Sequence, residues 1–119
     1  MSAPPYQWSV FVVDLDPAVG SEQAGRRPVL VISREVANAA LPVVTTLPVT
    51  SLRKGRRIYP NEVLLPAGTA GLDRESVVMA HQIRALSTRR LGALLGKIDD
   101  QELRAAVRAA VRVQLDLEC

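Results

Sequence analysis

The first two-thirds of the chain sorts its apolar residues into short, β-branched runs divided by turn-forming stretches, whereas the remainder carries them at helical spacing. WSVFVVDLD (8–16) reads as a strand closed by the Asp16-Pro17 turn. PVLVIS (28–33) is apolar with little alternation, which predicts a second strand buried on both faces. Residues 34–41 form a short excursion before a third strand, LPVVTTLPVT (41–50), in which Pro48 is expected at a sheet edge. The basic connection SLRKGRR leads to a fourth, IYPNEVLLP (58–66). After the turn AGTAGLDRE, a fifth β-type run opens the segment ESVVMAHQIRAL (75–86).

From Ser87 the period changes. Ser87 is placed to cap a short helix with Leu91, Leu94, Leu95 and Ile98 on one face and Gly96 near its end. Asp99 followed by Glu102 reads as a capping box for a last helix, striped by Leu103, Ala106, Val107, Ala110, Val111 and Leu115. Arg104, Arg108 and Arg112 fall on another side and read as a solvated face. Strands first and helices afterwards predict an α+β fold: a small, strongly curved antiparallel sheet of five main strands, closed or half-closed into a barrel, with the C-terminal helix packed against it.

A length of 119 residues suits one domain, 1–119, with residues 1–6 loose. No apolar run approaches the roughly 18 residues of a membrane span, and MSAPPYQW lacks a signal pattern, so a cytoplasmic location without membrane contact is expected. The single Cys119 has no partner for a disulfide or a cysteine-based metal site and reads as an idle tail thiol. Charge adds a regional feature. Although the net value is only +3, Arg26, Arg27, Arg34, Arg53, Lys54, Arg56 and Arg57 face one acid, Glu35, between positions 26 and 57. Such a block suits a phosphate-bearing partner, and equally a solvated loop.

GSEQAGRRP (20–28) sets an acid and two arginines in a glycine-rich loop directly before a buried strand, where a side chain is held against a rigid support. Its setting, VDLDPAVGSEQAGRRPVLVIS, is followed by VVTTLPVTS, a Lys-Gly pair, YPNEVLLP, DRESVVMAHQIRAL and a helix opening on DDQEL. This order, from Val10 to Leu117, resembles the MazF/PemK family, the toxin halves of bacterial toxin–antitoxin pairs. The resemblance implies an SH3-like barrel and a homodimer. It further implies a metal-independent endoribonuclease that needs no cofactor, cuts single-stranded RNA at short sequences and is silenced by a cognate antitoxin laying an acidic segment over the basic rim.

In that family the arginine before the proline and the threonine closing the third strand are catalytic; here they are Arg27 and Thr50. Cleavage without a metal uses the 2′-hydroxyl as nucleophile, so the protein must steady negative charge on phosphorus. A guanidinium gives phosphate two parallel hydrogen bonds, and a hydroxyl adds a neutral one. The proton acceptor stays open between Glu22, implicated in catalysis in some members but equally able to position Arg27 as a salt-bridge partner, His81, of the one residue type whose ordinary pKa lies near neutrality, and neither of them. Gly20, Ser21, Gln23 and Arg26 around the loop, Ser51 beside Thr50, and His81 with Gln82 are assigned to RNA binding. So are Arg53, Lys54, Arg56 and Arg57, which are expected to meet the backbone rather than the bases. Two departures stand out: His81 occupies a place where relatives commonly carry aspartate, and the first strand has Trp8-Ser9 and Val12 in place of the family's usual glycine and aromatic. Trp8 and Tyr59 are candidate base-stacking surfaces, with partial burial the alternative for Trp8 and core packing the reading for Phe11. The competing functions are a protein-binding module, as in related toxins that poison gyrase, and a degenerate toxin that binds without turnover.

Overall fold

The computed structural model describes residues 4–118. Strands β1 (Ser9–Asp14), β2 (Arg26–Val31), β3 (Val43–Ser51), β4 (Glu62–Leu65), β5 (Ser76–Met79), β6 (Arg84–Ser87) and β7 (Leu94–Lys97) accompany two α-helices, α1 (Glu35–Ala40) and α2 (Gln101–Leu115). The strands pair antiparallel in the order β4-β5-β3-β2-β1-β7, with β6 on the first half of β3. The sheet curls on itself into a half-barrel.

Curling explains why the apolar runs do not alternate with polar residues. Val10, Leu30, Leu47 and Val49 enter one core beneath α2, completed by Val107 and Ala110 of the helix. Phe11, Val29, Val31 and Val44 enter a second core on the opposite face with Leu86 and Leu91. Both faces of β2 are therefore covered, as PVLVIS predicts. A sheet with two covered faces needs an apolar side chain at every position.

Pro48 is not at an edge. It is buried midway along β3, where residues up to Thr46 pair with β6 and residues from Val49 pair with β5. Its missing N–H falls at the break between these two ladders and costs no hydrogen bond. The excursion 34–41 contains α1, and the fifth run is divided by the 3-10 turn Ala80–Gln82 into β5 and β6. The helix expected after Ser87 is a correction: Ser87 caps only the 3-10 turn Thr88–Arg90, and residues 94–97 are strand β7 against β1. Leu94 is 61% exposed and Leu91 6%, so the four residues expected on one helical face are divided between solvent and core.

The last helix begins one residue later than its capping box predicts. Asp100, not Asp99, is the N-cap, and its Oδ1 accepts from the N–H groups of Glu102 and Leu103 at 2.8 and 3.2 Å. Of the predicted stripe, Leu115 is half exposed and the rest packs inward. The arginine face is not simply solvated. The Arg104 and Arg108 guanidinium carbons lie 5.3 and 4.9 Å from the centre of the Trp8 ring, covering an indole that is only 5% exposed. Trp8 is thereby withdrawn from base stacking, and Phe11 is a core residue as expected.

Looseness of residues 1–6 also needs correction at its end. Tyr6 is buried against Phe11, and its N–H reaches both Glu35 carboxylate oxygens at 3.0 Å, joined by the Gln7 N–H at 2.9 Å. Residues 1–3, and the thiol of Cys119, lie outside the described residues.

Candidate active site

The GSEQ loop is shaped by its own polar groups. Asp16 Oδ1 accepts from the Gly25 N–H at 3.0 Å, closing the loop at its base, where Gly25 has φ +74°. Glu22 accepts from the Val19 N–H at 2.7 Å, bracing the tip. Gln82, on the Ala80–Gln82 turn, then ties the loop to the sheet with both ends of one amide: Nε2 donates to Ser21 O at 3.1 Å and Oε1 accepts from the Gln23 N–H at 3.2 Å.

Arg27 lies at the root of this loop on β2. Its Nε donates to Ala24 O at 3.1 Å, and its Nη1 approaches Thr50 Oγ1 at 3.4 Å, the long end of hydrogen-bond range. Residues 23 apart in sequence thus meet over one basin of about 480 Å³, lined also by Arg26, Ser51, Arg74 and Ser76. Arg27 and Thr50 are both partly exposed, so a phosphate can reach them from solvent. Glu22 does not pair with Arg27. Its carboxylate is committed to the Val19 N–H, and no ion pair joins the two among the described residues.

Ser21, Glu22, Gln23, His81 and Gln82 line a separate cavity of about 440 Å³ with Arg84. Gly20 lies on the same loop at φ +59°, outside that wall. The structure therefore divides the sequence-assigned residues between two neighbouring basins: the arginine–threonine pair in one, the acid and the imidazole in the other.

The basic connection is divided as well. Arg53 and Lys54 are exposed on the turn around Gly55, and the Arg57 guanidinium lies 6.0 Å from the exposed Tyr59 ring. Arg56 folds inward, gripping Glu62 with Nη1 to Oε1 at 3.1 Å and Nη2 to Oε2 at 2.6 Å. Arg56 is thus held in a bidentate ion pair instead of standing free on the rim. Glu62, its side chain 2% exposed, also accepts from the Tyr59 N–H at 3.1 Å and meets His81 Nε2 at 3.3 Å. Sequence reasoning assigned no role to Glu62, Arg74 or Arg84. The one available signal was that Glu62 is the sole acid between Glu35 and Asp73.

Burial disfavours the Glu62 carboxylate, but the hydrogen bonds from Arg56, the Tyr59 N–H and His81, with the Arg56 charge, outweigh it and hold its pKa below the ordinary 4.5. Glu35 is also held low against burial, by the Gln7 N–H, the Asn38 amide and the Tyr6 N–H. A depressed acid stabilises the fold fully above its unfolded pKa and loses that contribution as pH falls through the folded value. Thermal melting should therefore weaken progressively below about pH 4.5, and less steeply in Glu62→Gln. A melting temperature constant from pH 5 to pH 3 would contradict this.

The open rim of the half-barrel joins a guanidinium to a hydroxyl above a basin that Arg26 and Arg74 share with one acid, Asp73. Residues 6–115 match the family of the PemK-like, MazF-like toxin of type II toxin–antitoxin system. The chain is 41% identical to the endoribonuclease MazF9 of Mycobacterium tuberculosis, over 91% of this chain and 93% of that protein. Its fold superposes on MazF of Deinococcus radiodurans with a TM-score of 0.80 at 33% identity, covering 98% of this chain and 100% of the other. A MazE–MazF structure from the same organism aligns at a TM-score of 0.74 and 33% identity, covering 98% and 100%. The chain belongs to the PemK/MazF-like family of type II toxins.

Proposed function

We propose that this chain is the toxin of a type II toxin–antitoxin pair and an endoribonuclease that cleaves single-stranded RNA without a metal ion. The observation that carries the reading is the meeting of Arg27 Nη1 and Thr50 Oγ1 over one open basin, in a chain 41% identical to a named endoribonuclease. In the reaction the 2′-hydroxyl gives up its proton and its oxygen attacks the adjacent phosphorus, while the bond to the 5′-oxygen breaks and that oxygen takes up a proton, leaving a 2′,3′-cyclic phosphate and a 5′-hydroxyl end. Arg27 binds the phosphate and meets the charge that builds on its oxygens, and Thr50 adds a neutral hydrogen bond. Arg26, Ser51 and Arg74, which line the same basin, hold the flanking backbone. Glu22, His81 and Gln82 line the neighbouring cavity, which supports a role in holding an adjacent nucleotide over one at the reacting phosphate.

The test is cleavage of a long single-stranded RNA in the presence of chelator, with fragment ends mapped. Discrete cuts by the wild type that vanish in Arg27→Ala support the reading, whereas binding without cuts indicates a module without turnover. Thr50→Val keeps the shape of the side chain and should reduce the rate about tenfold, the loss of one hydrogen bond. An unchanged rate removes Thr50 from the reaction.

Arg53 and Lys54 act on the backbone charge. The double variant Arg53→Ala/Lys54→Ala should lower the slope of log affinity against log salt by about 1.4, since each single-strand phosphate contact contributes about 0.7. The cut positions should stay the same, and a changed cut pattern would assign these residues to base reading instead. The protein acts in the cytoplasm as a homodimer, and a cognate antitoxin covers the basic rim with a flexible acidic segment. The MazE–MazF assembly of the relative supports that partner, and the regional positive charge supports its acidity.

A further inference from the structure

One buried carboxylate serves two elements that sequence reasoning assigned separately to RNA. Glu62 opens β4 and holds the basic connection through Arg56 and the Tyr59 N–H, while its Oε2 meets the imidazole of His81. His81 is the shared wall of two cavities, one containing Glu22 and Gln82, the other containing Arg56, Tyr59 and Glu62. A carboxylate has no proton to donate, so the 3.3 Å contact is a hydrogen bond only if His81 Nε2 carries the hydrogen. In the neutral ring that leaves Nδ1 as a bare acceptor, on a side chain still 36% exposed.

We propose that Glu62 is a positioning residue for RNA reading: it fixes the Nε2–H tautomer of His81, so that Nδ1 accepts a hydrogen bond from the exocyclic amino group of a nucleobase in the Glu22–Gln82 cavity. The proposal rests on the endoribonuclease reading and adds the chemistry of one base contact. The charged and titratable groups around His81 are Glu62, Arg56 and Tyr59 on one side and Glu22 and Arg84 on the other. The Glu62 carboxylate is the one in hydrogen-bond contact with the ring.

Two measurements test the proposal. The ring ¹⁵N shifts of His81 at pH 8 should report a single Nε2–H tautomer in the wild type and a mixture in Glu62→Gln. A random-sequence RNA pool cut at pH 8 should show one position near the cut at which an amino-bearing base is preferred over uracil about tenfold, the worth of one hydrogen bond. That preference should vanish in His81→Phe, whose partly exposed site tolerates a ring without nitrogen even if Glu62→Gln proves too unstable to study. An Nδ1–H tautomer in the wild type, or base preferences unchanged in His81→Phe, overturns the proposal while leaving cleavage intact. Absence of any cleavage is a different failure, because it removes the nuclease reading and the base contact with it.

Discussion

Arg27→Ala is expected to slow RNA cleavage by about 10²–10³, the cost of removing one preorganised donor from a developing oxyanion, while RNA affinity falls far less. The asymmetry follows from how the residue is held. Ala24 O fixes Nε at 3.1 Å, and Nη1 is directed toward the hydroxyl of Thr50, so the guanidinium is already oriented over the basin in which the proposed reaction builds charge on phosphate. Ground-state binding draws on other cations, including Arg26 and Arg74 in the same basin. Arg27→Lys should recover only part of the rate, since an ammonium cannot make the two parallel hydrogen bonds. Single-turnover rates and filter-binding affinities measured on the same variants separate the two effects. Equal losses in both would make Arg27 a binding residue only.

Gly71→Ala is expected to cost about 3–5 kcal/mol, enough to unfold much of a small domain at 37 °C, because two penalties add. Gly71 has φ +77°, a conformation that a side chain strains. A Cβ there would also lie 2.0 Å from the carbonyl oxygen of Leu95, backbone that cannot turn aside. The contact is reciprocal: a Cβ on Gly96 would lie 2.5 Å from the carbonyl carbon of Ala70. Here the turn Thr69–Gly71 presses on β7, the strand that replaces the helix expected after Ser87. Gly71 and Leu95 also line the Arg27–Thr50 basin, so cleavage should decline with the fold. Chemical denaturation of Gly71→Ala beside the wild type checks the estimate. A loss below 1 kcal/mol would mean that the turn and the strand separate freely.

The expectation of a helix after Ser87 fails for a reason that applies to short segments generally. Leu91, Leu94, Leu95 and Ile98 have helical spacing, but four apolar residues fit either period, and the open edge of β1 offers backbone hydrogen bonds that an isolated turn of helix cannot match. Pro48 misleads in a related way. Proline marks a place without a donor, and sequence cannot distinguish a sheet edge from a strand that changes partners midway. Arg56 and Arg57 are adjacent in one basic run, yet Arg56 is taken out of the RNA-facing set by a single buried acid six positions on.

The sequence by itself determined the α+β class, the two-faced burial of β2, the terminal helix and the pairing of Arg27 with Thr50 as the chemistry to look for. These depend on local composition and on motifs that travel intact along the chain. Only the tertiary structure decided that Glu22 is turned to its own loop, that His81 answers to Glu62, and that the assigned residues fall into two basins. Those facts depend on which strands meet when the sheet curls. A carboxylate, an imidazole and a guanidinium carry no mark in sequence of the partner that closure will bring within hydrogen-bond reach.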